Sequence, residues 1–410
     1  MLNAKGEREL AYIVKVDAIH PIEGADRVEI ACIGGWRIMV KKGQFQPGDF
    51  AIYFEIDSKV PEVEPFMFLE SKHFKVKTQK YFKGTVISQG LLMAVEDFVN
   101  LEEPPAWSIS MKERIAAGRD VEHEGLTEVI GVTYAVEEDN KRKAASADKY
   151  KKMAQRRPNI FRQRWAKWMM KREWGKKVMF FFFGKKKDKK SGWPGWVSKT
   201  DEERVQNMTW ILEDKSEWIA TEKIDGTSTT STLRKTGKKF WQFWKPVHEF
   251  YICSRNVVFD KPDKNCFYET NVYTEMAEKY HFEDVLATLV ERYNLEWATL
   301  QGETHGAGIQ KREYGLKGHD FVGFNLIFSD RGRLNSVEAK EILAEFGIPW
   351  VPIVDEHFVL PDTVEELLAI ATDKSVIDGG MREGLVFRSQ DGTRSFKAVS
   401  NEFLLKYHNG

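Results

Sequence analysis

The sequence has little cysteine and no long apolar run. Its 410 residues contain three cysteines (Cys32, Cys253 and Cys266), too few for a disulfide framework and without the paired spacing of a zinc site. The N-terminus, MLNAKGEREL, lacks the apolar core of a secretory signal. The longest apolar run, Val178–Phe183, is far too short to cross a membrane. We therefore expect an intracellular protein in a reducing (for example cytoplasmic) compartment, not secreted and without a membrane partner.

The chain has no net charge, but its charges are unevenly distributed. Lysine plus arginine and aspartate plus glutamate both number 62. Between Lys141 and Lys190, 20 basic residues stand against three acidic ones, so this segment carries +17. It also contains tryptophans and four consecutive phenylalanines. Three interpretations remain open: a solvated helical hairpin whose aromatic residues dock on a neighbouring domain, a nucleic-acid clamp, or a membrane-surface segment.

Changes in composition divide the chain into three parts. Residues 1–135 are predicted to form a small Greek-key barrel, with the OB-fold as the best candidate, because short β-branched and aromatic segments alternate with turn signals. Residues 136–192 are the basic insertion or linker, with a helix expected at Lys149–Trp174. Residues 193–410 read as one mixed domain. No glycine-rich P-loop or dinucleotide fingerprint is present. The predicted fold class is α+β.

Hydrophobic patterning locates the individual elements. In the first part we predict strands at Glu9–Val16, Arg27–Ile33, Trp36–Val40, Phe50–Glu55 and Thr85–Ala94. In the last part we predict strands at Trp218–Glu222, Phe250–Cys253, Ala298–Gly302, Phe321–Phe328, Gly384–Arg388 and Ser395–Val399. Helices are predicted at Phe282–Tyr293, at Ser336–Phe346 with Ser336 as the N-cap, and at Thr363–Thr372.

A lysine in the segment Thr221–Ser228 is the centre of the chemical argument. The sequence TEKIDGTS places Lys223 after an apolar strand, with Asp225 and Gly226 in the turn that follows. Neighbouring cations or a bound metal can lower the pKa of such a lysine enough to give a nucleophilic amine. The glycine lets the backbone come close to a ligand.

Four further motifs follow this lysine in a fixed order. They are Leu300–Glu303, the aromatic strand Asp320–Leu326, the Glu-Gly motif within Arg382–Arg388, and Ser395–Val399 with its central lysine. The series lysine, glutamate, aromatic strand, Glu-Gly and lysine resembles the signature of covalent nucleotidyltransferases. That superfamily contains DNA ligases, RNA ligases and mRNA capping enzymes.

Flanking segments narrow the resemblance to RNA ligases of the Deinococcus and Naegleria type (RNA ligase family 5). The similar segments are Gly35-Trp36, Lys41-Lys42 with Pro47–Asp49, Ser88–Leu91, Lys199–Asn207 and Gly302–Gln310. Only 13 residues follow Lys397, where a DNA ligase or capping enzyme carries a further OB domain. The resemblance implies an N-terminal OB-fold barrel before a ligase-type (ATP-grasp-like) nucleotidyltransferase domain with antiparallel sheets and flanking helices.

The resemblance also implies a role for each motif residue. Lys223 is expected to attack the α-phosphorus of ATP and form a lysine–AMP phosphoramidate. Asp225, Glu303 and Glu383 are expected to hold Mg²⁺ or Mn²⁺ through water, and Lys397 to contact the α-phosphate. The remaining nucleotide contacts fall to Arg204 (phosphates or ribose), Glu222 (base edge), Gly226, Ser228 and Arg255 (ribose side), and Phe324 (adenine stacking).

Two positions depart from the family pattern, and two assignments keep alternatives. Val399 stands where many relatives of the phage RNA ligase 2 kind have a second lysine, and Asn325 replaces the acidic residue common after the stacking phenylalanine. Arg255 is equally compatible with a structural role in its turn. Four lysines alternate partly with apolar residues as on one face of an OB strand, which indicates either RNA-backbone contacts or a solvated edge: Lys75, Lys77, Lys80 and Lys83.

The sequence therefore predicts an ATP-dependent RNA ligase that joins 3′-hydroxyl and 5′-phosphate ends, most simply nicks in duplexes during RNA repair. RNA is the expected partner, and a monomer is the expected state. The alternatives are a DNA ligase, an RNA-capping nucleotidyltransferase or, from another class, a catalytically inactive RNA-binding module.

Overall fold

The computed structural model describes residues 8–135, 193–236, 247–255, 257–259 and 271–407. The basic segment at 136–192, with its predicted helix, lies outside the described residues. Across those described, no helix is both long and apolar enough to cross a membrane.

The N-terminal part is built from short antiparallel strands. Its strands are β1 (Ala11–Lys15), β2 (Ala18–Pro21), β3 (Val28–Ile33), β4 (Trp36–Lys41), β5 (Phe50–Phe54), β6 (Ser58–Lys59), β7 (Gln79–Tyr81), β8 (Val86–Ser88), β9 (Leu91–Met93) and β10 (Thr133–Tyr134). Its helices are α1 (Glu96–Val99), α2 (Ala106–Ala116) and α3 (Thr127–Ile130). One sheet runs β1-β5-β9 and another β2-β3-β4. In β4, buried Trp36, Ile38 and Val40 alternate with outward-facing residues, as expected for a strand with one face on the core.

The single strand predicted at Thr85–Ala94 is wrong, because the chain forms β8 and β9 with a break between them. Gly90 lies at the break with φ of 104°. A Cβ at this position would meet a ring carbon of Tyr53 at 2.4 Å, so only glycine allows this approach. The chain leaves its pairing with β7 there and joins the edge of β5.

The C-terminal part contains two antiparallel sheets with helices packed against them. Its elements are β11 (Glu217–Lys223), β12 (Thr227–Thr236), β13 (Val247–Ser254), β14 (Val258–Phe259), α4 (Val272–Lys279), α5 (Phe282–Arg292), β15 (Trp297–Gly306), β16 (His319–Phe328), β17 (Gly332–Arg333), α6 (Ser336–Ala344), β18 (Ile353–Val359), α7 (Val364–Ala371), β19 (Gly384–Ser389), β20 (Ser395–Val399) and α8 (Asn401–Tyr407). The sheets run β18-β11-β19-β20 and β14-β13-β12-β15-β16-β17. The predicted α+β class is confirmed.

Helix positions follow from apolar spacing and capping. Helix α5 buries Phe282, Val285, Leu286 and Leu289, the spacing of one helical face. The prediction of Ser336 as an N-cap is wrong by one residue. Asn335 keeps an extended backbone and its Oδ1 accepts a hydrogen bond from the Val337 N–H at 2.8 Å.

The two parts of the chain pack closely where Gly35 and Trp36 face the second part. Gly35 has φ of 81°, and a Cβ there would meet Val364 Cγ1 at 2.3 Å. The Arg204 guanidinium lies over the Trp36 ring, 5.6 Å from its centroid. This contact ties the barrel to the segment that precedes β11.

Replacing Gly35 with alanine is expected to lower the free energy of unfolding by about 2–4 kcal/mol. Alanine is unfavourable in the left-handed conformation of this position, and its Cβ would clash with Val364. Gly43→Ala is the matched control: Gly43 has φ of 74°, and nothing lies within 4 Å of the added Cβ. Urea-induced unfolding measures both. Equal losses in the two variants would contradict a role for the Val364 contact.

Candidate active site

Lys223 is the last residue of β11 and forms an ion pair at the start of β19. Its Nζ donates to Glu383 Oε2 at 2.7 Å. Sheet pairing sets Lys223 opposite Gly384, which brings the preceding glutamate beside it. The two side chains are only 25% and 13% exposed, so the pair is largely shielded from water. The sheet thus joins two of the predicted site residues directly.

Two more carboxylates lie close to the Lys223 ammonium. Burial lowers the pKa of Lys223, but Glu383, Glu303 and Asp225 outweigh burial and keep the pKa above its ordinary value. Burial, assisted by Glu383, raises the pKa of Asp225 to about 6. Burial, only partly offset by Lys223, raises the pKa of Glu303 to about 8. Three carboxyl groups therefore crowd one lysine, and burial together with their mutual repulsion favours protonation of Asp225 and Glu303 until a cation binds.

This donor set fits a hard divalent cation. Asp225, Glu303 and Glu383 offer the carboxylate oxygens that Mg²⁺ and Mn²⁺ prefer. Over the described part of the chain, no three His, Cys, Asp or Glu side chains gather closely enough to hold an ion directly. The fit is to an ion that keeps several waters and takes one or two protein carboxylates, as Mg²⁺ usually does.

Two partly buried cations, Lys397 and Arg204, lie near Lys223. Lys397 is in β20, and its N–H donates to the Glu203 carbonyl at 2.8 Å, which places Arg204 beside it. Burial, together with Lys223 and Arg204, lowers the pKa of Lys397 to about 8. Arg204 Nη1 is buried and has no hydrogen-bond partner within the described ranges. An arginine with an unused buried donor beside a second cation suits a phosphate.

Phe324 and Glu222 provide an aromatic ring and a carboxylate for the nucleotide base. Glu222 is 1% exposed; its Oε2 accepts from the Val376 N–H at 2.8 Å, and its Oε1 is buried with no hydrogen-bond partner in the described residues. Phe324 is half-buried and packs with Ile224 and Val351. A flat base could stack on the ring while its edge reaches the unused carboxylate oxygen.

Asn325, one of the departures from the family pattern, belongs to a different network. Its Nδ2 donates to Gln301 Oε1 at 2.9 Å, and its Oδ1 accepts from Arg388 Nε at 3.1 Å. Consecutive residues of a strand point to opposite faces, so Asn325 and Phe324 serve different surroundings. Asn325, in place of the acidic residue common in the family, therefore belongs to the hydrogen-bond network behind the site.

Gly226, Ser228 and Arg255 also lie in or beside the site. A Cβ on Gly226 would lie 2.3 Å from the Thr304 carbonyl oxygen, so only glycine lets β15 approach the turn this closely. Ser228 pairs with Glu303 across the sheet. Arg255 forms an ion pair with Asp201 and contributes to the electrostatics of Glu303.

Family comparisons agree with this geometry. An OB-fold domain model matches residues 10–95, and the RNA ligase family model matches residues 216–408. Naegleria gruberi RNA ligase with PPi is 26% identical, with a TM-score of 0.62, and the match covers 97% of this chain and 98% of that chain. A mutant of the same Naegleria gruberi enzyme with ATP and Mn is also 26% identical, with a TM-score of 0.63, covering 98% of this chain and 100% of that chain.

These matches support an ATP-dependent RNA ligase of the Naegleria type. A further mutant Naegleria gruberi RNA ligase, with AMP and Mn, is 26% identical at a TM-score of 0.63 and covers 98% and 99% of the two chains. Among curated proteins, none matches the ligase. The predicted resemblance to RNA ligases of the Naegleria type is confirmed, as is the prediction of an enzyme that joins polynucleotides.

The four lysines assigned to RNA contacts are arranged differently from the single strand face that the sequence suggested. Strand β7 contains only Lys80; Lys75 and Lys77 precede it, and Lys83 is in the turn that follows. Lys80 Nζ donates to the Leu405 carbonyl at 2.6 Å and so connects the two parts of the ligase. Lys77 and Lys83 are exposed.

Tyr314 is a site residue that the sequence analysis missed. Its hydroxyl accepts a hydrogen bond from the Asp225 N–H at 2.8 Å. The Arg312 guanidinium lies 4.3 Å from the Tyr314 ring centroid and donates to Asp378 at 2.6 Å. The hydrogen bond joins residues 89 positions apart, and no local pattern marks a loop tyrosine for such a contact.

Replacing Tyr314 with phenylalanine is expected to slow lysine adenylylation about 5- to 100-fold, because the buried Asp225 N–H loses its acceptor. The KM for ATP is expected to stay close to that of the parent, since the turn positions the nucleophile. Single-turnover labelling measures the rate. Tyr280→Phe is the control, because it removes a hydroxyl that donates to Asp320 elsewhere in the ligase. Equal slowing in both variants would contradict the positioning role.

Proposed function

We propose that the ligase uses ATP and Mg²⁺ or Mn²⁺ to join a 3′-hydroxyl to a 5′-phosphate, at nicks in RNA-containing duplexes and in the service of RNA repair. The observation that carries this proposal is the placement of Lys223 among three carboxylates and two partly buried cations, Lys397 and Arg204. The Naegleria relatives with ATP, AMP, Mn and PPi support it. The barrel of residues 1–135 then binds RNA, and residues 193–410 perform the transfer.

In the first step, the Lys223 amine attacks the α-phosphorus of ATP. A nitrogen–phosphorus bond forms, the bond to the pyrophosphate oxygen breaks, and the lysine loses its second proton. Glu222 holds the base edge, and Phe324 stacks on the base. Ser228 and Arg255 lie on the ribose side, and Arg204 and Lys397 neutralise charge on the phosphates.

In the next two steps, the nucleotide moves to RNA and is released. An oxygen of the 5′-phosphate attacks the phosphorus on Lys223, the nitrogen–phosphorus bond breaks, and the departing nitrogen takes up a proton to regenerate the lysine amine. The 3′-hydroxyl then attacks the 5′-phosphorus, its proton leaves, and AMP departs as the phosphodiester forms. Lys397 is placed to stabilise the negative charge that develops in each step.

Asp225, Glu303 and Glu383 would hold a divalent cation, which would supply positive charge that favours the neutral amine of Lys223 and stabilises phosphate oxygens. Without it, the three carboxylates hold Lys223 as an ammonium. Because the pKa values of Asp225 and Glu303 are raised, protons and a divalent cation compete for these carboxyl groups.

Nick sealing on matched duplexes tests the proposal. The duplexes differ only in whether the strand with the 3′-hydroxyl ends in ribonucleotides or deoxyribonucleotides, and each is incubated with ATP and Mg²⁺ or Mn²⁺. We expect sealing that requires ribonucleotides at the 3′-hydroxyl end. Equal sealing of all-DNA nicks would replace the proposal with DNA ligation, and transfer from GTP without sealing would replace it with capping.

A further inference from the structure

The turn between β7 and β8 presents an aromatic side chain on a strained backbone. Phe82, Lys83 and Gly84 have φ of 51°, 56° and 89°, so two consecutive non-glycine residues adopt the left-handed conformation. Such a conformation is unfavourable for a bulky residue and persists only where the surrounding structure enforces it. Phe82 is nevertheless 41% exposed at the tip. The chain thus holds a large apolar ring in water.

The hairpin that carries Phe82 is anchored at both strands. On β7, Lys80 Nζ donates to the Leu405 carbonyl of α8 at 2.6 Å. On β8, Ile87 is buried in one cluster with Val399 and Leu404. Phe82 is therefore displayed from a fixed support, which lowers the entropy lost when its ring engages a partner.

The anchors place the hairpin at the rim of the active site. Val399 pairs with Gly384, the residue after Glu383, and lies two residues beyond Lys397. On the other strand, burial and the nearby Lys311 lower the pKa of Lys80. Lys311 follows Gln310, whose side chain donates to the Gly226 carbonyl in the nucleophile turn at 3.1 Å. Lys80 and Ile87, which pair across the hairpin, thus adjoin two segments that lead to the active site: the end of β20 beyond Lys397 and the loop that contacts the nucleophile turn.

Cations accompany the exposed ring. Lys83 is adjacent to Phe82 and exposed, and Lys311 lies close enough to Lys80 on β7 to help lower the pKa of that lysine. A protein-binding aromatic is typically surrounded by apolar residues, whereas a ring among lysines matches a strand with flat bases and charged phosphates.

We propose that Phe82 stacks on a base at the RNA ends that the ligase joins, while Lys83 contacts the adjoining phosphate. The inference rests on the proposed RNA substrate and adds a specific contact beyond the nucleotide site. The ring orders the end of the strand next to Lys397, and it takes no part in the transfer of AMP to Lys223.

Binding and sealing of a nicked RNA duplex by Phe82→Ala and Phe82→Trp test this inference. Phe82→Ala is expected to weaken binding about 5- to 100-fold, and Phe82→Trp to retain it, since a larger ring still stacks. The loss is expected to persist at raised salt, because stacking releases few counterions. The loss in Lys83→Ala is expected to shrink as salt weakens every phosphate contact. Adenylylation of Lys223 by ATP is expected to stay at the parent rate in all three variants.

Phe68→Ala is the matched control, because Phe68 is 59% exposed in the same part of the chain but lies outside the hairpin. Parent-like binding and sealing by Phe82→Ala, or an equal loss in Phe68→Ala, would overturn the stacking contact and leave RNA ligation intact. Absence of RNA sealing by the parent enzyme would instead overturn the proposed function, and this inference with it.

Discussion

Lys223→Ala is expected to abolish covalent labelling of the ligase by α-labelled ATP and to lower sealing of 5′-phosphate nicks by at least about 10⁴-fold. The reason is that the variant removes the amine that forms the bond to phosphorus. Lys397 is a partly buried cation suited to neutralise phosphate charge, and it is not expected to replace the nucleophile. Gel detection of the labelled protein and of the joined strand measures the two effects.

A duplex that already carries AMP on its 5′-phosphate provides the internal control. Lys223→Ala is expected to seal this duplex at a rate much closer to that of the parent, because the last step uses the 3′-hydroxyl as its nucleophile. Labelling of the alanine variant by ATP would show that another residue accepts AMP. Equal loss on both duplexes would indicate a folding defect or a second role for the lysine.

Glu383→Ala is expected to slow lysine adenylylation about 10³-fold, because one carboxylate both pairs with Lys223 and belongs to the cation site. Glu383→Gln keeps a similar shape but removes the charge. We expect the adenylylation rate of Glu383→Gln to fall nearly as far as that of Glu383→Ala. Such a fall would show that the charge of Glu383 matters more than its packing. Single-turnover rates over a range of Mn²⁺ concentrations measure the change.

Glu356→Ala is the matched control for this prediction, since Glu356 is an exposed glutamate in β18 of the same sheet. It is expected to leave the rate unchanged. A Glu383→Ala variant with the parent rate and the parent response to Mn²⁺ would remove Glu383 from the proposed cation site. Recovery by excess Mn²⁺ would support weakened cation binding as the cause of the loss.

The chain's amino-acid order alone determined the class of chemistry. Lysine, glutamate, an aromatic strand, Glu-Gly and a final lysine appear in the order that covalent nucleotidyltransferases share, and the structure brings Lys223, Glu303, Glu383 and Lys397 together. Strands with alternating apolar residues, such as β4, were also predictable, because period-two alternation is a local property. Helix α5 was predictable for the same reason with a period of 3.6.

Polar elements escaped prediction because their burial depends on neighbours. Strand β12 is rich in threonine and serine and gives no apolar alternation, yet Thr229, Thr230 and Thr232 are buried. The hydroxyls of Thr229 and Thr232 are satisfied across the sheet, as in the contact between Thr229 and Thr304 at 2.6 Å. Only the pairing of β12 with β13 and β15 makes such a strand stable.

Tertiary structure alone decided which charges meet and where each side chain is used. Lys223 and Glu383 are 160 positions apart, and their contact exists because β11 pairs with β19. The close approach of β15 likewise requires glycine at position 226. Packing between the two parts of the chain gives Lys80 its hydrogen-bond partner on α8. Local spacing encodes strands, helices and the order of reactive groups. Burial and distances between remote residues set the pKa values and supply partners such as Tyr314, so they follow only from the assembled fold.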